Sequence, residues 1–401
     1  MSLITQVQEY LKDIFANGFA DEATRIHPML DSMAKPDELG LDYIYLVKYG
    51  NAQNIALGDD NLAAAQAVGT SSKALKFAMQ PSIMTGEALL PVTQLEASLK
   101  GNTYAFGSLI ETEVDGTMDE FYTRRGFQLY RDSYGARGQI ASISTNTLTL
   151  VNAFDAINFM QGMPLNASTS ENGSSPQAGS ATVLSVDIDD GTITVDNASG
   201  ITSLAANMYL FATTEISELG LEGFSVSTPL VAPTSGDSFR GQDRSVDPSR
   251  LAGSRLTASQ ANGTLEMNIV KVLTRIRQVG GQADFSTMNS ERAMEVRTRL
   301  GAKVRFDPGG DATYGFSSFM FDTPLGPIKV VDDPDCPTTA AWVGHSGSHK
   351  LPTLDAFVRI DESDGNWAIR KPSNNQIAVR IRSVGNYCQP KPRNFGVVPI
   401  S

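Results

Sequence analysis

Apolar residues along the chain follow two rhythms, and the points where the rhythm changes mark the elements. Over 103–134, Phe106, Ile110, Val114, Met118, Phe121, Leu129 and Tyr130 recur at helical spacing, while Glu111, Glu113, Asp119 and Arg124 fall elsewhere. That pattern predicts one long amphipathic helix. At ~1.5 Å per residue it would be over ~40 Å long, which suits a structural spine better than a compact enzyme core. Residues 264–279 repeat the period with Leu265, Ile269, Val272, Leu273 and Ile276 and stop at Gly280-Gly281, a C-cap signal. A shorter helix is expected over 290–300, ending at Gly301.

Elsewhere the period is two. Residues 180–197 alternate Leu184, Val186 and Ile188, then Ile193 and Val195, around Asp190-Gly191. An Asp-Gly pair between alternating runs predicts a hairpin with a type I′ turn, which needs φ > 0 at both central residues. Residues 139–151 read as a second strand pair and 207–213 as a further strand, with 166–180 a polar Gly/Ser-rich loop between them. Downstream, 316–322 and 327–332 read as strands joined through Thr323-Pro324-Leu325-Gly326. The last runs, 356–361, 366–371 and 376–384, complete the list, with Asp364-Gly365 closing the first pair. No internal repeat of fixed period is present.

Charge divides the chain further. The 401 residues carry 32 Lys+Arg and 44 Asp+Glu, net −12. Residues 1–137 are net −7; residues 138–239 have ten acids and no Lys or Arg; residues 240–401 are net +5. A cation-free stretch of that length, with the strand signals it contains, reads as a separately folding β-rich insert. The net acidity argues against a sequence-reading DNA binder. Cys336 and Cys388 exclude a disulfide scaffold, and with no signal peptide or apolar span the chain is expected to be soluble in a reducing cytoplasm.

The chemistry-bearing strings fail on context. Gly344-His345-Ser346-Gly347-Ser348 approaches a nucleophile elbow, but Ser348 replaces the last glycine and Pro352 leaves no room for the following helix. His345 and His349 have helical metal-ligand spacing without the helix, and the only other histidine is His27. Asp187, Asp189 and Asp190 resemble the start of a calcium loop, but Gly191 comes at the fifth position and no Glu closes it. Gly309-Gly310 lacks a phosphate-binding lysine, and the Asn-x-Ser/Thr triplets at Asn166, Asn172, Asn197 and Asn262 fit polar loops. No catalytic, cofactor-binding or metal-binding residue is assigned.

The order of elements resembles the major capsid proteins of tailed bacteriophages, with the fold named after phage Hong Kong ninety-seven. Residues 104–138 (YAFGSLIETEVDGTMDEFYTRRGFQLYRDSYGARG) look like that family's spine helix leading into an insertion, and 182–211 like its β-rich insertions. Residues 283–295 (ADFSTMNSERAME) look like the axial strand and helix, 323–337 (TPLGPIKVVDDPDCP) like its hairpin, and 355–388 like its terminal strands. The resemblance implies an α+β fold: 1–70 an N-terminal arm, 71–105 an extended loop reaching across a neighbour, 106–137 the spine helix of the peripheral domain. It also implies 138–226 an inserted β-rich domain, 227–350 the axial domain, and 351–401 terminal strands returning to both domains.

The implied function is a non-enzymatic shell of hexamers and pentamers enclosing double-stranded DNA, assembled in a bacterial cytoplasm and ending in the virion. The implied partners are copies of itself, a portal, a separate scaffolding protein and in some phages a decoration protein, with no cofactor and no membrane. The expected loop tip, 82–90 (SIMTGEALL), has no lysine, so no covalent cross-link is expected. Arg124, Arg125, Arg240, Arg244, Arg250 and Arg255 are candidates for pairing with a neighbour's acids. Alternatives are a host nanocompartment (encapsulin-like) shell and a serine hydrolase using Ser346 and His349; a secreted adhesin lacks a signal and a repeat.

Overall fold

The segments YIYLVKYG and KALKFAM alternate large apolar side chains with exposed ones, and they pair as an antiparallel ribbon, β1 (Tyr43–Gly50) with β2 (Lys73–Met79). Val47, Phe77 and Met79 turn inward, with Tyr45 stacked on Phe77 at 5.5 Å between ring centroids. Ile44, Leu46, Lys48, Ala74, Lys76 and Ala78 face outward. The structure is a computed structural model describing residues 3–15, 27–40, 43–52, 71–101, 103–131, 133–216, 219–300, 319–354, 357–361, 366–371 and 375–400. Contacts divide the chain into two units, Met1–Thr123 with Ser227–Ser401, and Arg124–Val226.

In the first unit, β3 (Ser82–Pro91) runs antiparallel along the whole of β17 (Gln376–Gly385). The other edge of β17 takes β15 (Arg359–Ile360) and β16 (Ile369–Lys371). The long helix α4 (Thr103–Gln128) buries Ile110, Val114, Met118 and Phe121. A Cβ on Gly86 of β3 would sit 2.6 Å from the Phe121 ring, so strand and helix meet at closest approach there. Helix α1 (Leu3–Phe15) packs on α4 at Gly107, where Tyr10 leaves no room for a side chain, and the Tyr10 hydroxyl donates to Glu111 at 2.8 Å. The short helix α2 (Pro28–Ser32) and helix α3 (Val92–Gly101) complete this half.

The second sheet of that unit has six strands in the order β10 (Ser254–Arg255), β18 (Gly396–Pro399), β14 (Ala340–Gly344), β11 (Phe285–Met288), β13 (Gly326–Asp332) and β12 (Phe319–Thr323). Helix α5 (Leu265–Gln278) covers it, bringing Ile269, Val272 and Ile276 into one cluster with Val330, Val343 and Val398. As its sequence predicts, α5 ends on Gly280 at φ 79°, with Gly281 N–H bonded to the Ile276 carbonyl and Gly280 N–H to that of Arg277. This is the Schellman arrangement, which satisfies the last carbonyls of the helix. Helix α6 (Ser290–Leu300) follows β11.

The second unit is a closed barrel in the order β4 (Gly138–Ser144), β5 (Thr147–Leu150), β8 (Thr192–Val195), β7 (Ala181–Asp187), β6 (Pro164–Ser168) and β9 (Tyr209–Ala212). Ile140, Leu148, Leu165, Val183, Ile193 and Leu210 fill its interior.

Several expectations are corrected. Residues 71–105 are not a loop: they hold β2, β3, α3 and the start of α4, and the expected tip 82–90 is the strand on β17. A two-stranded ribbon is formed by β1 and β2, whose first strand falls inside the expected arm 1–70; residues 53–70 lie outside the described residues. The long helix runs Thr103–Gln128 and stops short of 137, where the Leu129 and Tyr130 N–H groups turn to the Gly126 and Phe127 carbonyls three residues back and the last turn tightens. The second unit starts at Arg124, ahead of the expected 138. The β7–β8 connection is a four-residue loop, Ile188–Gly191, with Gly191 alone of those four at positive φ, so it is not a type I′ turn. Strand β6 occupies 164–168, at the start of the expected loop 166–180. Strands β15 and β16 each pair with β17 and not with each other; Asp364-Gly365 lies outside the described residues, as do Gly301 and Gly309-Gly310.

Candidate functional site

The serine flagged by its elbow-like sequence sits on a single helical turn, 346–348, after β14. Its hydroxyl donates to Asp284 Oδ2 at 2.6 Å and its N–H to Asp284 Oδ1 at 2.8 Å. His345 lies 3.8 Å from the same carboxylate, and its Nδ1 accepts the Gly347 N–H at 2.9 Å. In the serine–histidine arrangement the flagged string suggests, the hydroxyl proton is directed at the imidazole nitrogen. Here it is directed at a carboxylate, and the turn is closed by the imidazole that would otherwise serve. His349 is buried among the rings of Phe285, Phe395 and Tyr387, and burial pushes its imidazole down to about 4. The geometry ties a loop and makes no catalytic dyad of Ser346 and His349.

The other flagged residues also do structural work. Asp187 accepts the N–H groups of Asp189 and Asp190, each at 3.1 Å, which shapes the β7–β8 loop. Asn172 and Asn197 each accept the N–H two residues on, so their Asn-x-Ser triplets are Asx turns. Asn166 accepts the Ala167 N–H, and Asn262 accepts from Lys271. Both cysteines are buried and neither is in a disulfide, and burial pushes the Cys388 thiol up to about 12. Among the described residues no group of three His, Cys, Asp or Glu is placed to hold a metal ion, and no helix is long and apolar enough to cross a membrane.

The arginines proposed for a neighbour are engaged within the chain. Arg124 and Arg137 converge on Glu215, Arg250 pairs with Asp247 at 2.7 Å, and Arg244 pairs with Asp237 at 2.7 Å while lying 4.0 Å over the Phe239 ring. Arg240 donates to the Tyr45 hydroxyl at 2.7 Å and the Tyr387 carbonyl at 2.6 Å, which docks β1 onto the unit. Arg255 donates to the Ala252 and Gly253 carbonyls. Arg125 is fully buried, its guanidinium lowered to about 10 by desolvation, and donates to Gln128 at 3.3 Å.

Sequence reasoning missed one polar cluster. His27, just before α2, is buried with Nδ1 2.5 Å from Asp335 Oδ2, and the neighbouring Met29 N–H reaches Asp333. Burial lowers the His27 pKa, but the hydrogen bond to Asp335 and the charges of Asp335, Asp333 and Asp119 outweigh it and raise it overall. The partners are some 300 residues apart, and neither local sequence carries a signal. What is left for function is surface: the outward face of the ribbon, and a run of exposed apolar side chains on the barrel, Val151, Phe154, Ile157, Met160, Leu184 and Ile188. Such faces mark association more often than chemistry.

No protein-family model and no curated protein matches the sequence. Among solved structures the chain superposes on one from the capsid asymmetric unit of cyanophage A-1(L) with a TM-score of 0.54 and 12% identity, covering 96% of this chain and 94% of that one. Matches at lower scores include Mycobacterium phage Ogopogo (TM-score 0.44, 8% identity, 95% and 92% covered) and the encapsulin complex of Synechococcus elongatus (0.44, 7%, 93% and 86%). Of these three the first has a TM-score above 0.5, and at 12% identity it establishes a shared fold and nothing of activity.

Proposed function

We propose, from the premise that this chain has the Hong Kong ninety-seven capsid fold, that it is a structural major capsid protein whose copies form hexamers and pentamers of an icosahedral phage head. The observation that carries the reading is the end-to-end superposition on the cyanophage capsid chain, which leaves almost none of either chain over. The Ser346 hydroxyl is committed to Asp284, which favours a structural role over the hydrolase alternative. In this reading α4 is the spine helix and the β3–β17 sheet belongs with it to the peripheral domain. The six-stranded sheet is the axial domain, the barrel is the insertion, and the β1–β2 ribbon is the extended loop. Double-stranded DNA is enclosed without sequence-specific contacts; a portal and a separate scaffolding protein act in assembly in the bacterial cytoplasm.

Electron microscopy of the purified chain tests this. Capsomers, tubes or closed shells are expected, and uniform monomers at every concentration overturn it. The stretch between the ribbon strands, 53–70, contains no lysine, so mature particles should run as monomers on boiled SDS gels. A persistent ladder of oligomers would show that a cross-link forms after all.

A further inference from the structure

Two exposed faces of the chain have reciprocal chemistry. On the barrel, the chain from 151 to 160 lies along the β7–β8 hairpin. Ala153 fills the space where a Gly191 Cβ would be, and at the far end Gly162 N–H bonds to the Val183 carbonyl while Met163 N–H bonds to that of Met160. That path lines up the exposed Phe154, Ile157 and Met160 beside Leu184 and Ile188, with Ile157 64% accessible. Asp187, Asp189 and Asp190 are exposed beside Ile188, and no Lys or Arg occurs anywhere between 138 and 239. The face is therefore apolar, with Asp187, Asp189 and Asp190 along its hairpin side, while Arg131 and Arg137 are tied to Asp155 and the Asn158 carbonyl of the 151–160 segment.

The ribbon has the opposite character. Its outward face carries Ile44 and Leu46, the latter 68% accessible, with Lys48 and Lys76 beside them; Leu46 stands directly opposite Lys76 in the register. Neither strand contains an acid. Aliphatic side chains beside lysines that have no ion pair among the described residues are the complement of apolar side chains beside aspartates likewise without one. We infer that the outward face of the β1–β2 ribbon docks on the apolar, aspartate-flanked face of the barrel of a second copy of this chain. The inference rests on the shell reading, because it requires many copies to meet. The barrel is closed and offers no strand edge, so its contact is made by side chains.

The test uses the full chain in sedimentation velocity at low salt, with circular dichroism to check each fold. A ribbon variant, Lys48→Glu with Lys76→Glu, and a barrel variant, Asp189→Lys with Asp190→Lys, leave the Asp187 turn intact. Each is expected to raise the concentration needed for association by about ten-fold or more. All four substitutions together restore opposite charge across the contact, and association should return towards wild type. Either pair associating like wild type, or the four-fold variant associating no better than each pair, overturns the inference. If both variants still form shells, the shell reading survives and this contact falls; a wild-type chain that stays monomeric removes both. Normal self-association of the barrel variant with lost binding of a basic decoration protein assigns the face to that protein and likewise overturns it.

Discussion

The barrel and the remainder of the chain solve the same problem in opposite ways. All six barrel strands come from 138–212 and close on themselves, so every strand finds two partners nearby in sequence. The other unit pairs residues 82–91 with 376–385 and threads β18, from the C-terminal end, between β10 and β14. Among the described residues its sheets end at β10 and β12, and at β3 opposite β15 and β16. Local closure makes the barrel a part that can be inserted without disturbing its host's pairing. Long-range pairing makes the host depend on both ends of the chain being present before its sheets exist. The open edges give that unit backbone hydrogen bonds to offer a neighbour, whereas the barrel has only side chains.

The strongest way to break this comparison is to damage each unit where backbone meets backbone. In the barrel, Gly179 has φ +93° and its Cβ would run into the Gly200 carbonyl; in the other unit a Gly281 Cβ would run into that of Arg393. Replacing either by valine should cost about 3–5 kcal/mol through forced backbone movement and, at Gly179, a disfavoured φ. In calorimetry Gly179→Val is expected to lower one of two transitions and Gly281→Val the other. A single transition that moves equally in both variants would mean the units unfold as one, whatever their topology suggests.

A smaller effect separates the core of the host unit from its N-terminal attachment. His349, held near 4, binds its proton more weakly folded than unfolded. Its stabilising contribution is complete above about pH 6.5 and is lost as pH falls towards 4, amounting to about 3 kcal/mol at the acid end. His349→Phe should remove that acid sensitivity in denaturation curves taken from pH 7 to pH 4. His27 works in the opposite sense. Its raised pKa makes the contact with Asp335 strongest below about pH 6.5 and weaker as pH climbs through the folded value. Hydrogen exchange around α2 should therefore quicken with pH by more than the intrinsic chemical rate, and His27→Gln should abolish the excess. Equal exchange after that correction would mean that the His27–Asp335 contact is not assisted by charge.

What could be read from the sequence follows the same division. The α5 helix and its Gly280-Gly281 stop, the β12–β13 hairpin and the β7–β8 hairpin were legible because period, turn and cap lie within twenty residues of one another. The β3 strand was not. SIMTGEALL puts small residues, Ser82, Gly86 and Ala88, on its inward face and leaves Ile83 and Leu89 exposed, and the partner that makes it a strand is some 300 residues away. The ribbon was missed for the related reason that residues 53–70 separate its halves. At the candidate site the residue types were read correctly and their partners were not. Asp284 lies 62 positions before Ser346, and Glu215 lies 91 after Arg124, so neither pairing leaves a local trace.

The mildest test asks whether charge holds the long-range ladder together. Glu87 on β3 pairs with Lys371 of β16 and lies 3.4 Å from Arg380 of β17, so it spans three strands. The bond to Lys371 is the main reason its carboxyl is held below the usual range, which places its contribution above about pH 4.5 and removes it as pH falls through the folded value. All three side chains are a third or more exposed, and solvent screens them. Glu87→Gln should then cost less than about 1 kcal/mol in urea denaturation at pH 7, and most of that should vanish in high salt. The ladder beneath it has ten paired positions and buries Ala88, Leu90, Ile377, Val379 and Ile381. A loss of several kcal/mol from Glu87→Gln would mean that the ends of the chain are joined by charge, and the host unit would share the barrel's reliance on burial far less than its core suggests.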